Sequence, residues 1–271
     1  MIWKSLKGRL FLFTGPTIYR VIHAAYFFIR MLIALRSQSH SKKFFGPDLL
    51  AFAAKLKLGD QVLDIGAFLG GSTVLFGRAV GKSGKVWAFE PVHHRLLKCI
   101  LFPFRLSRVK VIPIALAAEN GNTEFLIPIY NGIPIYSQSG ASESYAAHNG
   151  PNYTYLKRPT PLIRLDDFLA QQNIIPESLA AIKIDVEGSE MNVFTGGEDF
   201  FRRFQGLLLC EFWFNQVPPL GWIWLRERGY ACRYLGKDGI FIPANTETEI
   251  KAICEGETYG NFFWEKPRIV P

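Results

Sequence analysis

Three short segments carry acids where strands end and glycines where helices begin. The first runs Val62-Leu63-Asp64-Ile65-Gly66-Ala67-Phe68-Leu69-Gly70-Gly71-Ser72. Its glycines let a ligand approach the backbone, and a helix start supplies free N–H groups. The spacing is Asp-x-Gly-x-x-x-Gly-Gly, not the GxGxxG of a dinucleotide fold. An acid at that strand end suits a ligand carrying a cation better than one carrying two phosphates. The second segment, Val86-Trp87-Ala88-Phe89-Glu90-Pro91, puts an acid 26 residues after Asp64. A carboxylate there accepts both hydroxyls of a ribose, and Pro91 cuts the strand off. Together the two fit S-adenosylmethionine. Gly66 and Gly70 make room for its methionine end, Asp64 anchors it and Glu90 holds the ribose. Ala67, Ser72 and the later Asp185 complete the expected cofactor set.

The third segment is Ile182-Lys183-Ile184-Asp185-Val186-Glu187-Gly188-Ser189-Glu190. In open α/β sheets ligands sit outside the carboxyl ends of the strands, so Asp64, Glu90 and Asp185 are expected in one crevice, with Glu211 joining them. An alcohol is a poor nucleophile until a base takes its proton. Asp185 is the first candidate for that base and Glu187 the second. His148 is the alternative, although a loop histidine more often serves a surface role. Asp185, Glu187 and Glu211 also suit a divalent cation, an option that is open but not favoured, and no metal site is assigned. His93 and His94 are expected on a helix surface near the nucleoside. Glu187 and Glu190 have a plainer role open to them, as acids in the first turn of a helix.

The segments LDIGAFLGGST, VWAFEPV, IRLDDFLA and AIKIDVEGSEMNVFTGGEDF, in that order, resemble the FkbM-type S-adenosylmethionine-dependent methyltransferases. The likeness covers roughly residues 48–215 and is sharpest at IKIDVEGSE. It implies a class I, Rossmann-like α/β fold, a seven-stranded, mostly parallel sheet with a C-terminal antiparallel hairpin. It also implies methyl transfer to a hydroxyl oxygen. By position, Asp64, Gly66, Gly70 and Glu90 would bind the cofactor, while Asp185 and Glu187 would lie at the reaction centre.

The elements that must position these residues follow from patterning. Strands are predicted at 61–65, 85–90, 109–114, 181–185 and 207–212, with helices at 72–80, 92–102, 189–195 and 219–228, the alternation of a parallel α/β sheet. A closing hairpin is predicted from 230 to 243. Residues 122–165 break this rhythm. Ile-Pro-Ile-Tyr occurs at 127–130 and again at 133–136, joined by Asn131-Gly132, a hairpin signal, and Pro128 and Pro134 should confine its strands to an edge. An insertion of this length in an α/β domain is the candidate for acceptor recognition, with Tyr136, Ser142 and Tyr145, plus Glu211, as the expected substrate contacts. The expected organisation is an N-terminal segment 1–45, a methyltransferase domain 46–243 and a tail 244–271.

Charge separates the N-terminal segment from the rest. The chain has 271 residues and a formal charge of +8. Residues 1–47 hold eight basic residues and no acid, and the remainder holds 23 of each, so a basic groove on the body is not expected. A helix is predicted from about Thr17 to Arg36, with Thr14 or Thr17 as its cap and Pro16 in its first turn. Arg20, His23 and Arg30 should form a narrow basic stripe on an otherwise apolar helix. No run of 18 apolar residues survives Thr14-Gly15-Pro16 and Arg30, so a spanning helix is disfavoured, and no cleavage signal follows. The expectation is peripheral contact of residues 1–43 with an anionic membrane, on the cytoplasmic, inner face. Packing on the body or on a second copy stands as the alternative. The acceptor is expected to be a small-molecule, glycan or lipid-linked alcohol. A non-catalytic nucleoside-binding scaffold and an RNA methyltransferase with a basic arm are the competing functions; nucleic acid is disfavoured by the neutral body, and a homo-oligomer stays open. Four scattered cysteines signal neither zinc nor a disulfide framework.

Overall fold

The computed structural model describes residues 2–131, 133–135, 139–141 and 153–267, with the side chains of all of these but 2–17, 133 and 141. The strands are β1 (Gln61–Ile65), β2 (Lys85–Phe89), β3 (Val109–Ile112), β4 (Ala115–Leu116), β5 (Gly121–Tyr130), β6 (Ile133–Pro134), β7 (Gly140–Ala141), β8 (Tyr153–Ile163), β9 (Ala181–Ile184), β10 (Leu207–Trp213), β11 (Ala231–Leu235), β12 (Phe241–Pro243) and β13 (Tyr259–Glu265). The helices are α1 (Ile2–Ala34), α2 (Gln38–Phe45), α3 (Pro47–Ala53), α4 (Gly71–Val80), α5 (His94–Leu101), α6 (Leu165–Gln171), α7 (Glu190–Gly196), α8 (Glu198–Arg203), α9 (Leu220–Glu227) and α10 (Glu247–Cys254).

Among the described residues the main sheet has eight strands in the order β12-β11-β13-β10-β9-β1-β2-β3. Strands β3, β2, β1, β9 and β10 are parallel; β13 runs antiparallel beside β10, and β11, antiparallel to β13, points the same way as the parallel set. This is the α/β methyltransferase arrangement expected from the sequence, with β12 as a short additional edge strand. The central strands are apolar without alternation because helices cover both faces. Val62, Leu63, Ile182, Ile184, Leu208 and Val86 are all fully buried.

The stretch from 244 onward is not a tail. It forms α10 and then β13, which inserts between β10 and β11, because Phe262, Phe263 and Trp264 bury completely there. The hairpin of β11 and β12 is present as expected, with Tyr234 opposite Ile242.

The insertion folds as a second sheet, β4-β8-β5-β6, with β7 also on β5. The Asn131 turn reverses the chain, with Tyr130 opposite Ile133, and Asn131 takes φ +49°, as a tight primed turn requires. Pro128, expected on an edge, sits on the middle strand opposite Tyr155. It is tolerated because its carbonyl still accepts from Ile135 N–H, so only a donor is lost.

Helix α1 starts well before residue 17 and carries Gly15 and Pro16 in its interior. Proline deletes one donor, and a helix can bend there and continue. The expected basic stripe is split: Arg30 stays exposed and the other two residues turn inward. Arg20 and His23 face the body, where Arg20 Nη2 donates to Val92 O at 2.9 Å and His23 stacks on Tyr19. The exposed side is apolar: Ile18 (55%), Val21 (53%), Tyr26 (41%), Ile29 (55%) and Ile33 (46%). Among the described residues no helix is long and apolar enough to cross a membrane.

Candidate active site

The loop after β1 is organised from below by Asp64. Its carboxylate is completely buried and accepts from Ser72 Oγ at 2.8 Å and Thr73 Oγ1 at 2.6 Å, fixing the first turn of α4 to the end of β1. Lys183 on the neighbouring β9 completes this knot. Its ammonium donates to Gly66 O at 3.0 Å and lies 3.1 Å from Asp185 Oδ2 and 3.9 Å from Asp64 Oδ1. Burial pushes Asp64 above the usual carboxylate range, more than Lys183 and the two hydroxyls pull it down. Burial opposes the charge on Lys183 too, but Asp185 and Asp64 outweigh it and hold that ammonium above the ordinary lysine pKa.

The glycines here serve the protein's own packing. A Cβ on Gly66, at φ +80°, would sit 1.8 Å from Asp185 O, so glycine is what allows β1 and β9 to end side by side. A Cβ on Gly70, at φ +86°, would meet Leu97 Cδ1 of α5 at 2.5 Å. Both glycines are thus required by the chain's own packing, and Gly66 in addition lines the cavity described below.

Glu90 ends β2 and turns back on the segment that follows. Its Oε1 accepts from the backbone N–H groups of Val92 and His93, both at 2.7 Å. Burial raises its pKa to about 7 against those backbone donors and the Arg20 charge. His93 is buried, not on a helix surface, and packs edge-on to Phe68 at 5.3 Å. The reason is the same turn: its N–H on Glu90 draws the residue inward. His94 is half-buried, with Nδ1 3.0 Å from Pro91 O.

Gly66, Phe68, Glu90 and Val92 line one part of a cavity of about 480 Å³, within the range of small-molecule sites. Asp185 and Glu187 line it as well, and Thr123, Phe125, Ser139 and Leu162 of the insertion form a facing wall. The site thus lies between the carboxyl ends of β1, β2 and β9 and the second sheet. Glu187 has φ +53°, an uncommon conformation for a non-glycine residue. Burial raises its pKa to about 9, with Asp185 and Glu211 adding to it. Burial and Asp185 likewise raise Glu211 to about 8, and burial raises Glu190 to about 7.

Of the expected cofactor residues, Gly66, Glu90 and Asp185 line the cavity. Asp64 and Ser72 lie beneath it, bonded to each other, and Ala67 and Gly70 are not among its lining residues. Glu187 joins Asp185 at the cavity, while Glu211 stands on β10 beyond Asp185 and does not line it. His148, Tyr136, Ser142 and Tyr145 lie outside the described residues. Among the described residues no group of three His, Cys, Asp or Glu is placed to hold a metal ion. Two organising residues went unassigned in the sequence. Lys183 had a signal, a lone cation inside an apolar central strand. Arg20 had none, since its partner is 72 residues away.

A set of donor-site features is therefore present: a glycine-lined strand end, an acid at the next strand end and a cavity of suitable size. These fit S-adenosylmethionine. A profile of the Methyltransferase FkbM domain matches residues 64–232. Among solved structures, a methyltransferase FkbM from Methylobacillus flagellatus KT is similar at 14% identity and TM-score 0.46, with 92% of this chain and 59% of that one covered. This chain thus spans somewhat over half the length of that relative. An rRNA methylase from Streptococcus thermophilus matches at 13% identity and TM-score 0.45, covering 83% of this chain and 96% of that one. A SAM-dependent O-methyltransferase from Thermotoga maritima matches at 14% identity and TM-score 0.38, over 83% and 66%. No curated protein matches the sequence.

Proposed function

This chain belongs to the FkbM methyltransferase family, whose cofactor is S-adenosylmethionine, and from that premise we propose that it methylates a hydroxyl oxygen of a small-molecule, sugar or lipid-linked acceptor at a membrane surface. The bound cofactor supplies an electrophilic methyl group on a sulfonium. The protein's task is then to hold an alcohol in line with it and to remove the proton.

The observation that carries this reading is the placing of Asp185 and Glu187 in one cavity with Glu90. Asp185 is the base. Its carboxylate is a third exposed and fixed by Lys183, so it is open to an acceptor yet held in one orientation. Glu187, with its pKa raised to about 9, is protonated at neutral pH and donates a hydrogen bond to the acceptor instead of competing for its proton. The facing wall of the insertion, apolar apart from Thr123 and Ser139, gives the acceptor a mainly hydrophobic seat.

Asp185→Ala should lower turnover by at least about a hundredfold, within the span of general-base effects, and leave S-adenosylmethionine affinity nearly intact by calorimetry. The acceptor class is read from an extract treated with methyl-labelled cofactor and fractionated into lipid, glycan, protein and nucleic acid. Wild-type turnover in the variant overturns the role of Asp185. Label in nucleic acid alone overturns the acceptor.

A further inference from the structure

The exposed side of α1 is an apolar surface, open to solvent among the described residues. At 100° per residue Ile18, Val21, Ile22, Ala25, Tyr26, Ile29 and Ile33 fall within an arc of roughly 140°, all of them exposed. Arg30, its guanidinium 5.7 Å from the Tyr26 ring, borders that arc, and Arg36, Lys42 and Lys43 follow as exposed residues just beyond the helix. The neighbouring element continues the pattern. The turn that follows α5 meets α1 through Phe28 and Phe104, and the segment from Pro91 to Ala118 holds five basic residues and no acid. At its tip Phe102 is 83% exposed beside exposed Lys98 and Arg105.

A continuous apolar face bordered by Arg30 and followed by Arg36, Lys42 and Lys43 fits a bilayer carrying negative headgroups. A second copy offers this face no opposite charge, since an isologous contact pairs the face with itself and Arg30, Arg36, Lys42 and Lys43 are cationic on both sides. The opposite side of the same helix is joined to the site. Tyr19 packs with Val92 and Ile127, close to Phe68 and Phe125 of the cavity wall, and Arg20 holds the Val92 carbonyl in the turn that Glu90 organises.

We infer that α1 is an interfacial docking helix, which buries Ile18, Ile22, Tyr26, Ile29 and Ile33 at the headgroup boundary of an anionic membrane and, through Tyr19 and Arg20, fixes the cofactor cavity at that surface. The inference deepens the membrane reading given above and rests on it only for the location of the acceptor. Docking itself needs no acceptor and no turnover.

The full chain is mixed with vesicles of phosphatidylcholine alone and of equal parts phosphatidylcholine and phosphatidylglycerol, at low and high salt, and sedimented. Retention on the anionic vesicles, weakened by salt and far lower on the neutral ones, is expected. Ile22→Glu with Ile29→Glu should lower the vesicle partition by at least roughly tenfold, since it sets two carboxylates into the apolar arc. S-adenosylmethionine affinity by calorimetry should stay within about twofold, which shows that the variant is folded. Lys98→Glu with Arg105→Glu is the second variant and should reduce only the salt-sensitive part. Equal retention of wild type and the Ile22/Ile29 variant overturns the inference. So does a wild-type dimer that this variant splits, which would assign the face to a second copy. Turnover without vesicle binding sinks docking and leaves the methyltransferase reading standing; vesicle binding without turnover does the reverse.

Discussion

Replacing Lys183 by Met removes the one cation that the knot beneath the cavity contains. Its ammonium touches Gly66 O at 3.0 Å and Asp185 at 3.1 Å and faces Asp64 at 3.9 Å. The two acids differ in what happens next. Asp185 is 33% exposed at its side chain and regains water, whereas Asp64 is wholly buried and keeps only its two hydroxyl donors. Most of the loss therefore falls on Asp64, and breaking a buried pair on one side costs about 3–5 kcal/mol. For a domain of this size that is a fall of roughly 10 °C in Tm. The loss depends on pH with a definite sign. Burial already holds the folded pKa of Asp64 above its unfolded value, and loss of Lys183 raises it further. The unfolded chain is common to both proteins, so the deficit grows toward alkaline pH as folded wild-type Asp64 releases its proton and the variant, with the higher folded pKa, still holds it. Thermal unfolding at pH 5 and pH 8 should show the larger deficit at pH 8, and adding Asp64→Asn to Lys183→Met should restore most of it. A deficit under about 1 kcal/mol, or one equal at the two pH values, refutes the assignment of Lys183 as the counter-charge of Asp64.

Glu90→Gln should weaken S-adenosylmethionine binding by calorimetry yet stabilise the cofactor-free protein at pH 8 by up to about 3 kcal/mol. This follows because the folded carboxyl titrates at about 7 and the unfolded one near 4.5. The gain should vanish near pH 4, where both states are protonated, and a loss of Tm at pH 8 would contradict the raised pKa. Glu187→Gln should keep turnover at pH 7 within a few-fold, because the group it replaces is already neutral there, and should abolish any rate change around pH 9. A collapse of the rate at pH 7 would mean that Glu187 works as a carboxylate.

The parallel strands were legible because each is a short apolar run closed by an acid, a glycine or a proline, and Asp64, Glu90 and Asp185 mark the carboxyl ends that an α/β sheet gathers on one side. What those acids do there was less legible. A sequence says that Asp64 ends a strand but not that its carboxylate is turned down onto Ser72 and Thr73, away from the cavity. That Gly66 and Gly70 also make room for Asp185 O and the Leu97 side chain was not legible, because those atoms belong to segments distant in the chain. Helix α1 was misread for a related reason. Periodicity locates a polar stripe but not the direction it faces, and Arg20 found a buried carbonyl to hold. The C-terminal strand β13 was missed because its place in the sheet, between β10 and β11, reverses chain order.

The charge balance of the site carries a consequence for the catalytic cycle. Four acids, Asp64, Asp185, Glu187 and Glu211, feel the charge of Lys183, and burial together with mutual repulsion keeps Glu187 and Glu211 protonated at neutral pH. A cationic donor is attracted by every acid that does ionise, whereas the demethylated product, a neutral thioether, is not. Full ionisation would hold the charged ground state too firmly, since methyl transfer discharges the sulfonium and only interactions that strengthen toward the transition state speed the step. Keeping Glu211 and Glu187 neutral at pH 7 limits that opposing effect and leaves Asp185 to act as base. The preference for S-adenosylmethionine over S-adenosylhomocysteine should therefore rise between pH 7 and pH 9.5 as Glu211, near 8, and then Glu187, near 9, lose their protons. One ionised carboxylate within several ångströms of the sulfonium is worth about 1 kcal/mol or more at an intermediate dielectric, so the affinity ratio should grow at least about fivefold. Paired titrations of the two nucleosides into wild-type protein without acceptor measure it without turnover, and a ratio that stays flat, or falls, would show that the charge on these acids does not reach the reacting end of the donor.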